Sequence, residues 1–312
     1  MLKLHCRSPF RPAALALAGF GCMILLATAP RATAAPLYFS TSSNLVEITP
    51  TAATNPASNG TTITSTQING GFAVTPNGVI YTNNGGTIAK LASNGTVINS
   101  SLVTGLSNAQ ELMAQGEDFW VVQNSPLQAT RYNSVGTLQQ TINLSVMSSG
   151  SRAMSIDSAG NYYFINTNQI FKYTSAGNWA GLFTTTTGTL FDIAIDSNDN
   201  ILVTSSIGNI YKTDTSLTTP TSYITGLNTP RGLAFDDQDN LYVLNSFSNQ
   251  IRLYNSTGTL VEADYVYGIT PSGGGNWLTV APVPEPNTLA LAAIAGVAGL
   301  ASLRLRRRKH QA

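Results

Sequence analysis

A segment that recurs about every forty residues, an Asp- or Asn-rich turn behind its later copies, and a body rich in Thr, Ser, Asn and Gly predict an all-β chain folded as a six-bladed β-propeller. The copies are Phe72 to Thr75, Leu112 to Gln115, Met154 to Asp157, Ile193 to Asp196 and Leu233 to Asp236. Their last residues lie 40, 42, 39 and 40 positions apart. A repeat that regular marks one supersecondary unit used again and again.

Each unit follows one plan. An alternating apolar segment ends at Asp or a polar substitute, and a turn follows, as in Asp157 to Asn161, Asp196 to Asn200 and Asp236 to Asn240. A second apolar run comes next, at Tyr162 to Ile165, Ile201 to Thr204 and Leu241 to Leu244. A third strand, Gln169 to Tyr173 or Gln250 to Tyr254, closes on a polar turn such as Asn255 to Gly258. Strands joined by turns of this composition predict a propeller blade.

The number six comes from the ends of the repeat array. Leu37 to Phe39 and Asn44 to Ile48 read as outer strands of a blade without an inner strand, whereas Asn276 to Val280 reads as an inner strand with nothing after it. Together they complete one blade, tie the two ends of the body and remove an exposed sheet edge.

The unit Pro230 to Asp236, followed by Asn240 to Val243 and Asn249 to Arg252, resembles the NHL repeat. The likeness is good there, fair around Asp157 and Asp196, and weaker at Thr75 and Gln115, where the Asp is replaced. It implies an NHL-like propeller over residues 35–282.

The two termini read as targeting segments. Residues 1–34 carry basic Lys3, Arg7 and Arg11, an apolar run from Ala13 to Ala29, and small residues at Ala32-Thr33-Ala34. That is the pattern of a secretory signal, with cleavage expected after Ala34 and signal peptidase and the secretion machinery as partners. Cys22 does not favour a lipoprotein, because Phe20 stands where lipid attachment wants a small residue. At the other end, residues 283–312 hold Pro284-Glu285-Pro286, an apolar stretch predicted to span the membrane over 287–305, and a basic tail with Arg304, Arg306, Arg307 and Arg308. Nineteen helical residues reach about 28 Å, enough to cross a bilayer, and the basic tail should remain cytoplasmic.

Those three parts in that order resemble the PEP-CTERM sorting signal. The resemblance implies an exosortase partner that recognises Pro284, Glu285 and Pro286, transient anchoring in the inner membrane, and a final location at the cell surface or outside the cell. It also implies a link to exopolysaccharide.

Composition excludes much chemistry. Cys6, Cys22, His5 and His310 all lie in the terminal segments, so the body has no thiol and no imidazole. Disulfides, thiolate metal sites and histidine acid-base catalysis are excluded there. From Ala35 to Val283 there are seven basic and fourteen acidic residues, a net charge of −7, which argues against nucleic acid as a partner.

Ligands of propellers favour the central channel, so residues entering the inner strands are the candidates. These are Gly70, Gln110, Arg152, Phe191, Arg231 and Asn276, with Glu111 and Asp192 one step further in. Two arginines beside Gln110 and Asn276 can grip a carboxylate, sulfate or phosphate; the plain alternative is that both arginines are solvated rim residues. The Asp-rich turns present oxygens at alternate positions, but they lack the central Gly and distal Glu of an EF-type loop, so no cofactor is expected and structural calcium is the lesser reading. Trp120, Tyr163, Tyr242 and Trp277 fall in strand segments and are expected to fill layers between blades.

The function expected is therefore a non-enzymatic binding or scaffold module. The alternative is a hydrolase or lyase resembling gluconolactonase-type or streptogramin-lyase-type propellers. The first resemblance implies a metal site built from carboxylates and Asn at the channel, to which only Glu111, Asp192 and Asn276 could contribute, and the second relies on a histidine that this body lacks.

Overall fold

In a computed structural model the described residues are 35–41, 44–48, 60–64, 68, 70–147, 150–184, 188–269 and 277–281. The signal segment 1–34, Asn276, and the tail 283–312 with its expected span 287–305 lie outside them. No helix among the described residues is long and apolar enough to cross a membrane.

The chain is an all-β, six-bladed propeller of four-stranded antiparallel sheets. Blade 1 uses β1 (Leu37–Ser40), β2 (Leu45–Ile48) and β3 (Thr61–Thr64). Blade 2 is β4 (Phe72–Val74), β5 (Ile80–Asn84), β6 (Thr87–Leu91) and β7 (Val97–Val103), and blade 3 is β8 (Ala109–Gln115), β9 (Asp118–Asn124), β10 (Leu127–Tyr132) and β11 (Leu138–Asn143). Blade 4 runs through β12 (Ala153–Ile156), β13 (Tyr162–Ile165), β14 (Gln169–Tyr173) and β15 (Trp179–Thr184). Blade 5 comprises β16 (Leu190–Ile195), β17 (Ile201–Ser205), β18 (Asn209–Thr213) and β19 (Thr221–Ile224). Blade 6 comprises β20 (Pro230–Phe235), β21 (Leu241–Asn245), β22 (Gln250–Tyr254) and β23 (Leu260–Tyr267). The last strand, β24 (Leu278–Val280), returns to blade 1 as its innermost member.

That return is the expected closure. β24 pairs antiparallel with β1, Leu37 opposite Val280 and Phe39 opposite Leu278, and the Ala281 amide donates to the Pro36 carbonyl at 2.9 Å. The inner strands then form a complete ring, with β24 touching β20 on one side and β4 on the other.

Burial explains why the second strand of each blade reads as a continuous apolar run. Successive side chains point to opposite faces, and both faces of a blade pack on a neighbour. In β13, Tyr162 and Phe164 join Trp120 and Val122 of blade 3, whereas Tyr163 and Ile165 join Ile193 and Val203 of blade 5. Each of the six blade-to-blade seams has its own apolar cluster in this way. Trp120 and Tyr163 are fully buried in these seams, Tyr242 is buried, and Trp277 packs partly buried against the blade 1 to blade 2 cluster.

One element exceeds the predicted plan. A fourth, outermost strand follows the third in every blade. It is largely exposed in β7 and β15, apolar side chains included: Val97 is 58% exposed and Trp179 53%. With a free edge and little packing, such a strand lacks the alternation that identifies a half-buried one.

The Asp turns are built by their own side chains. Asp236 Oδ1 accepts the amides of Gln238 and Asn240, and its Oδ2 accepts the Asn240 side-chain amide at 2.9 Å and the Tyr242 hydroxyl at 3.4 Å. Asp196 repeats the pattern with Asn198 and Asn200. Asp199, with φ of 61°, also reaches across a seam and accepts the amide and hydroxyl of Ser158, at 2.8 and 2.6 Å. Asp239 does the same for Ser197.

Candidate functional site

The six inner strands enclose a cavity of about 230 Å³ on the propeller axis. The six blades contribute the apolar side chains of Phe72, Leu112, Met154, Ile193, Leu233 and Leu278 to its wall, while polar atoms supply the larger share of its surface. Glu111, Asp192 and Trp277 line it as well. A larger outer cavity of about 380 Å³ lies between Thr64 and Ile68 and the strands of blade 2, but no ionisable group lines it.

Glu111, Asp192 and Trp277 stand at one level, each one residue before the wall residue of its blade. At that level blade 2 has Gly71 and blade 6 has Gly232. A Cβ on Gly71 would sit 2.6 Å from the Leu112 amide nitrogen, so the absence of a side chain is what lets blade 2 approach blade 3 this closely. At the same level the Trp277 indole N–H donates to Glu111 Oε2 at 2.6 Å.

Asp192 is held by backbone. Its Oδ1 accepts its neighbour's amide, that of Ile193, at 2.8 Å, and its Oδ2 accepts the Leu233 amide of blade 6 at 2.7 Å. Both carboxyls titrate above the ordinary carboxylate range. For Glu111, enclosure away from water is the main cause and the negative charge of Asp192 adds to it, partly offset by the Trp277 bond. For Asp192 the same desolvation dominates against the two backbone donors, pushing it up to about 7. The pair therefore holds a proton near neutral pH, as two like charges in one enclosed space must.

One residue before this level, the channel opens at a mouth of different chemistry. The pairing of β8 with β9 shifts between Ala109 and Glu111, that of β16 with β17 between Leu190 and Ile193, and that of β20 with β21 between Pro230 and Gly232. Gln110, Phe191 and Arg231 occupy these irregularities, which free a side chain from the alternation of the sheet. Arg231 places its guanidinium carbon 4.7 Å from the Phe191 ring centroid, and Arg152 lies 5.7 Å from the same centroid. Neither arginine forms an ion pair among the described residues, where Arg131 with Asp118 is the pair found. Arg231 Nε is buried without a hydrogen-bond partner there. Burial, and then the charge of Arg152, hold the Arg231 guanidinium below its usual pKa.

The predicted candidates thus separate into two sets. Glu111 and Asp192 share the cavity, Arg152 and Arg231 share one aromatic ring at the mouth, and Gln110 donates to Asn108 Oδ1 at 2.7 Å instead of joining either group. Sequence reading connected Trp277 with a packing layer and missed its bond to Glu111, because the two are 166 residues apart. It also missed Phe247, 68% exposed, and Ile207, 59% exposed, although each is a lone large apolar residue in a polar turn. No group of three or more metal-ligating side chains occurs among the described residues.

Comparisons with known proteins bear on the fold and the tail. Solved structures similar to the chain include a nidogen/laminin complex, with a TM-score of 0.63 at 12% identity over 79% of this chain and 99% of that one. A protein from Bacteroides caccae gives 0.59 at 12% identity, over 79% of this chain and 98% of its own. Virginiamycin B lyase from Staphylococcus aureus gives 0.51 at 17% identity, over 62% of this chain and 68% of its own. At these identities the likeness establishes the propeller fold alone. No curated protein matches the chain. Residues 282–308 match the PEP-CTERM protein-sorting motif, so the chain carries a PEP-CTERM sorting motif directly behind a six-bladed β-propeller.

Proposed function

We propose that this is an exported, exosortase-sorted protein of the cell surface or extracellular matrix, whose propeller is a non-enzymatic module that binds exopolysaccharide or another surface component. The observation that carries this reading is the position of the sorting motif, which begins at residue 282, immediately after the strand that closes the ring. Export through the N-terminal signal delivers the body across the inner membrane, and the tail holds it there until an exosortase acts at Pro284-Glu285-Pro286.

The carboxyl pair in the channel supports a second reading, a hydrolase or lyase using a protonated acid. Against it, both acids already have partners: Glu111 is bonded by Trp277 and Asp192 by two backbone amides. We therefore read the pair as part of the scaffold.

Cell fractionation tests the sorting claim. An epitope near Leu37 is followed in the native chain, in Glu285→Ala and in a chain ending at Val283. The native protein should appear shortened at the surface or in the medium, with Glu285→Ala full length in the inner membrane. If both remain full length in that membrane, the reading fails.

A further inference from the structure

The two ends of the channel differ in charge in a way that net composition hides. The acidic residues gather in the turns that leave the inner strands, among them Asp157, Asp196, Asp199, Asp236 and Asp239. The segments at the other end, which enter the inner strands or join each second strand to its third, contain no Asp or Glu. Arg152 and Arg231 stand at that end, so a body of net negative charge presents a cationic mouth.

Apolar groups flank the same mouth. The Phe247 amide donates to the Asn228 carbonyl at 3.2 Å, which places this exposed ring beside the segment leading into Arg231. The Ser206 amide donates to the Thr189 carbonyl at 2.8 Å, which places exposed Ile207 beside the segment leading into Phe191. Blades 5 and 6 therefore offer apolar projections next to two guanidinium groups that have no ion-pair partner among the described residues.

We propose that this mouth is a binding site for an acidic sugar of a carboxylated polysaccharide, with Arg152 and Arg231 receiving the carboxylate and Phe247 receiving an apolar face of the sugar ring. The proposal rests on the binding role given above and names its ligand class. A guanidinium fork matches the two coplanar oxygens of a carboxylate, and an exposed aromatic ring supplies a flat apolar surface against which the C–H face of a sugar can pack. A singly charged acid suits the site better than a doubly charged phosphate, because the Glu111–Asp192 pair lies one residue deeper and, while it shares a proton, still carries negative charge. Position also favours it. β24 leaves the ring at the Asp-turn end, so the chain runs on toward the sorting motif from the face opposite the arginines.

The test uses the full-length chain in mild detergent, immobilised and exposed to polygalacturonate and alginate. Methyl-esterified polygalacturonate, dextran and inorganic phosphate serve as comparators. The acid polymers should bind in a salt-sensitive manner, and the ester and dextran should not. Arg152→Gln with Arg231→Gln should weaken binding by roughly tenfold or more, the size expected when a charged hydrogen-bonded partner is removed. Phe247→Ala should weaken it several-fold, and Arg131→Gln, which removes one positive charge from another part of the molecule and is compared with Arg152→Gln and Arg231→Gln singly, should not. Near-ultraviolet circular dichroism on each variant identifies any loss of fold, and a double variant that fails it is replaced by the two single ones. Equal binding of ester and acid, equal loss in Arg131→Gln, no binding of either acid polymer, or displacement by phosphate at lower concentration than by galacturonate would each overturn the proposal. Fractionation separates this from the sorting claim. A processed surface protein that ignores both acid polymers sinks only the ligand, whereas a chain that binds them yet stays full length in the inner membrane sinks only the sorting.

Discussion

Trp277 and Glu111, 166 residues apart, are joined by an indole N–H to carboxylate bond of 2.6 Å that spans the position of blade 2 inside the channel. The bond links the closing strand of the ring to blade 3, so closure at the rim through β1 and β24 is reinforced at the axis. Trp277→Phe keeps most of the ring volume and removes the donor. It should cost about 1–3 kcal/mol, the range for losing a hydrogen bond to a charged or strongly polarised group, read as a lower midpoint in thermal or urea unfolding. Removing that donor also raises the Glu111 pKa further, since the bond is what opposes desolvation there. An unchanged midpoint would mean that the axial link carries no stability.

Gly71 stands at the same level in the intervening blade, and its replacement is the most direct test of how tightly the axis is packed. In Gly71→Ala the new methyl would lie 2.6 Å from the Leu112 nitrogen and 3.0 Å from the Glu111 Cα, both backbone atoms that cannot swing aside. Blades 2 and 3 must then separate, at a cost of about 1–3 kcal/mol, typical of overpacking. Gly105→Ala is not an equivalent control, because Gly105 has φ of 77° and strain would enter there by another route. Gly181, with open space around it and no positive φ, is the proper comparison and should tolerate Ala with little change.

The parts of this fold that the sequence made legible are those packed on both faces. Strands β13, β14 and β22 have the limits expected from residue pattern alone, because Tyr162 to Ile165 fill two seams at once and leave no room for polar residues. The closing blade was legible because an inner strand without followers at Leu278 matched outer strands without a leader at Leu37. The fourth strands were not, since residues such as Asn99, Ser100 and Ser101 in β7 face water and follow no period. For the site, the repeat alignment placed Glu111 level with Asp192 and Arg152 level with Arg231. What it could not supply was pairing: Phe191 shared by two cations depends on irregularities of register, and Trp277 reaching Glu111 joins residues 166 positions apart.

The Asp turns give a prediction about metal. Both oxygens of Asp236 already accept hydrogen bonds, from Gln238, Asn240 and Tyr242, and the turn is complete without a cation. Asp236→Ala should therefore lower stability by about 1–2 kcal/mol through lost hydrogen bonds. Calcium or a chelator should leave the unfolding midpoint of the native chain where it is. A rise of several degrees with calcium, absent in Asp236→Ala, would show instead that the turn is a calcium site.

The channel acids give a pH dependence of definite sign. Glu111 and Asp192 bind a proton more tightly folded than unfolded, because burial raises both, Asp192 to about 7. Between the ordinary carboxylate pKa near 4 and about 7, the folded state then holds more protons than the unfolded one, and stability must fall as pH rises through that interval. Asp199 acts in a separate window. Its pKa is lowered by the Ser158 hydroxyl and then the Ser158 amide, so its contribution is present above the ordinary range and is lost only as pH falls below it. Glu111→Gln isolates the channel effect. The amide oxygen can still accept the Trp277 N–H, the titrating group is gone, and Asp192 loses the like charge beside it. The variant should match the native chain near pH 4 and exceed it in stability above pH 7, the direction that the raised Glu111 pKa requires. Urea unfolding at pH 4, 6 and 8 measures this. Parallel slopes for the two proteins across that range would show that the carboxyls are solvated in the folded chain and that water reaches the channel freely.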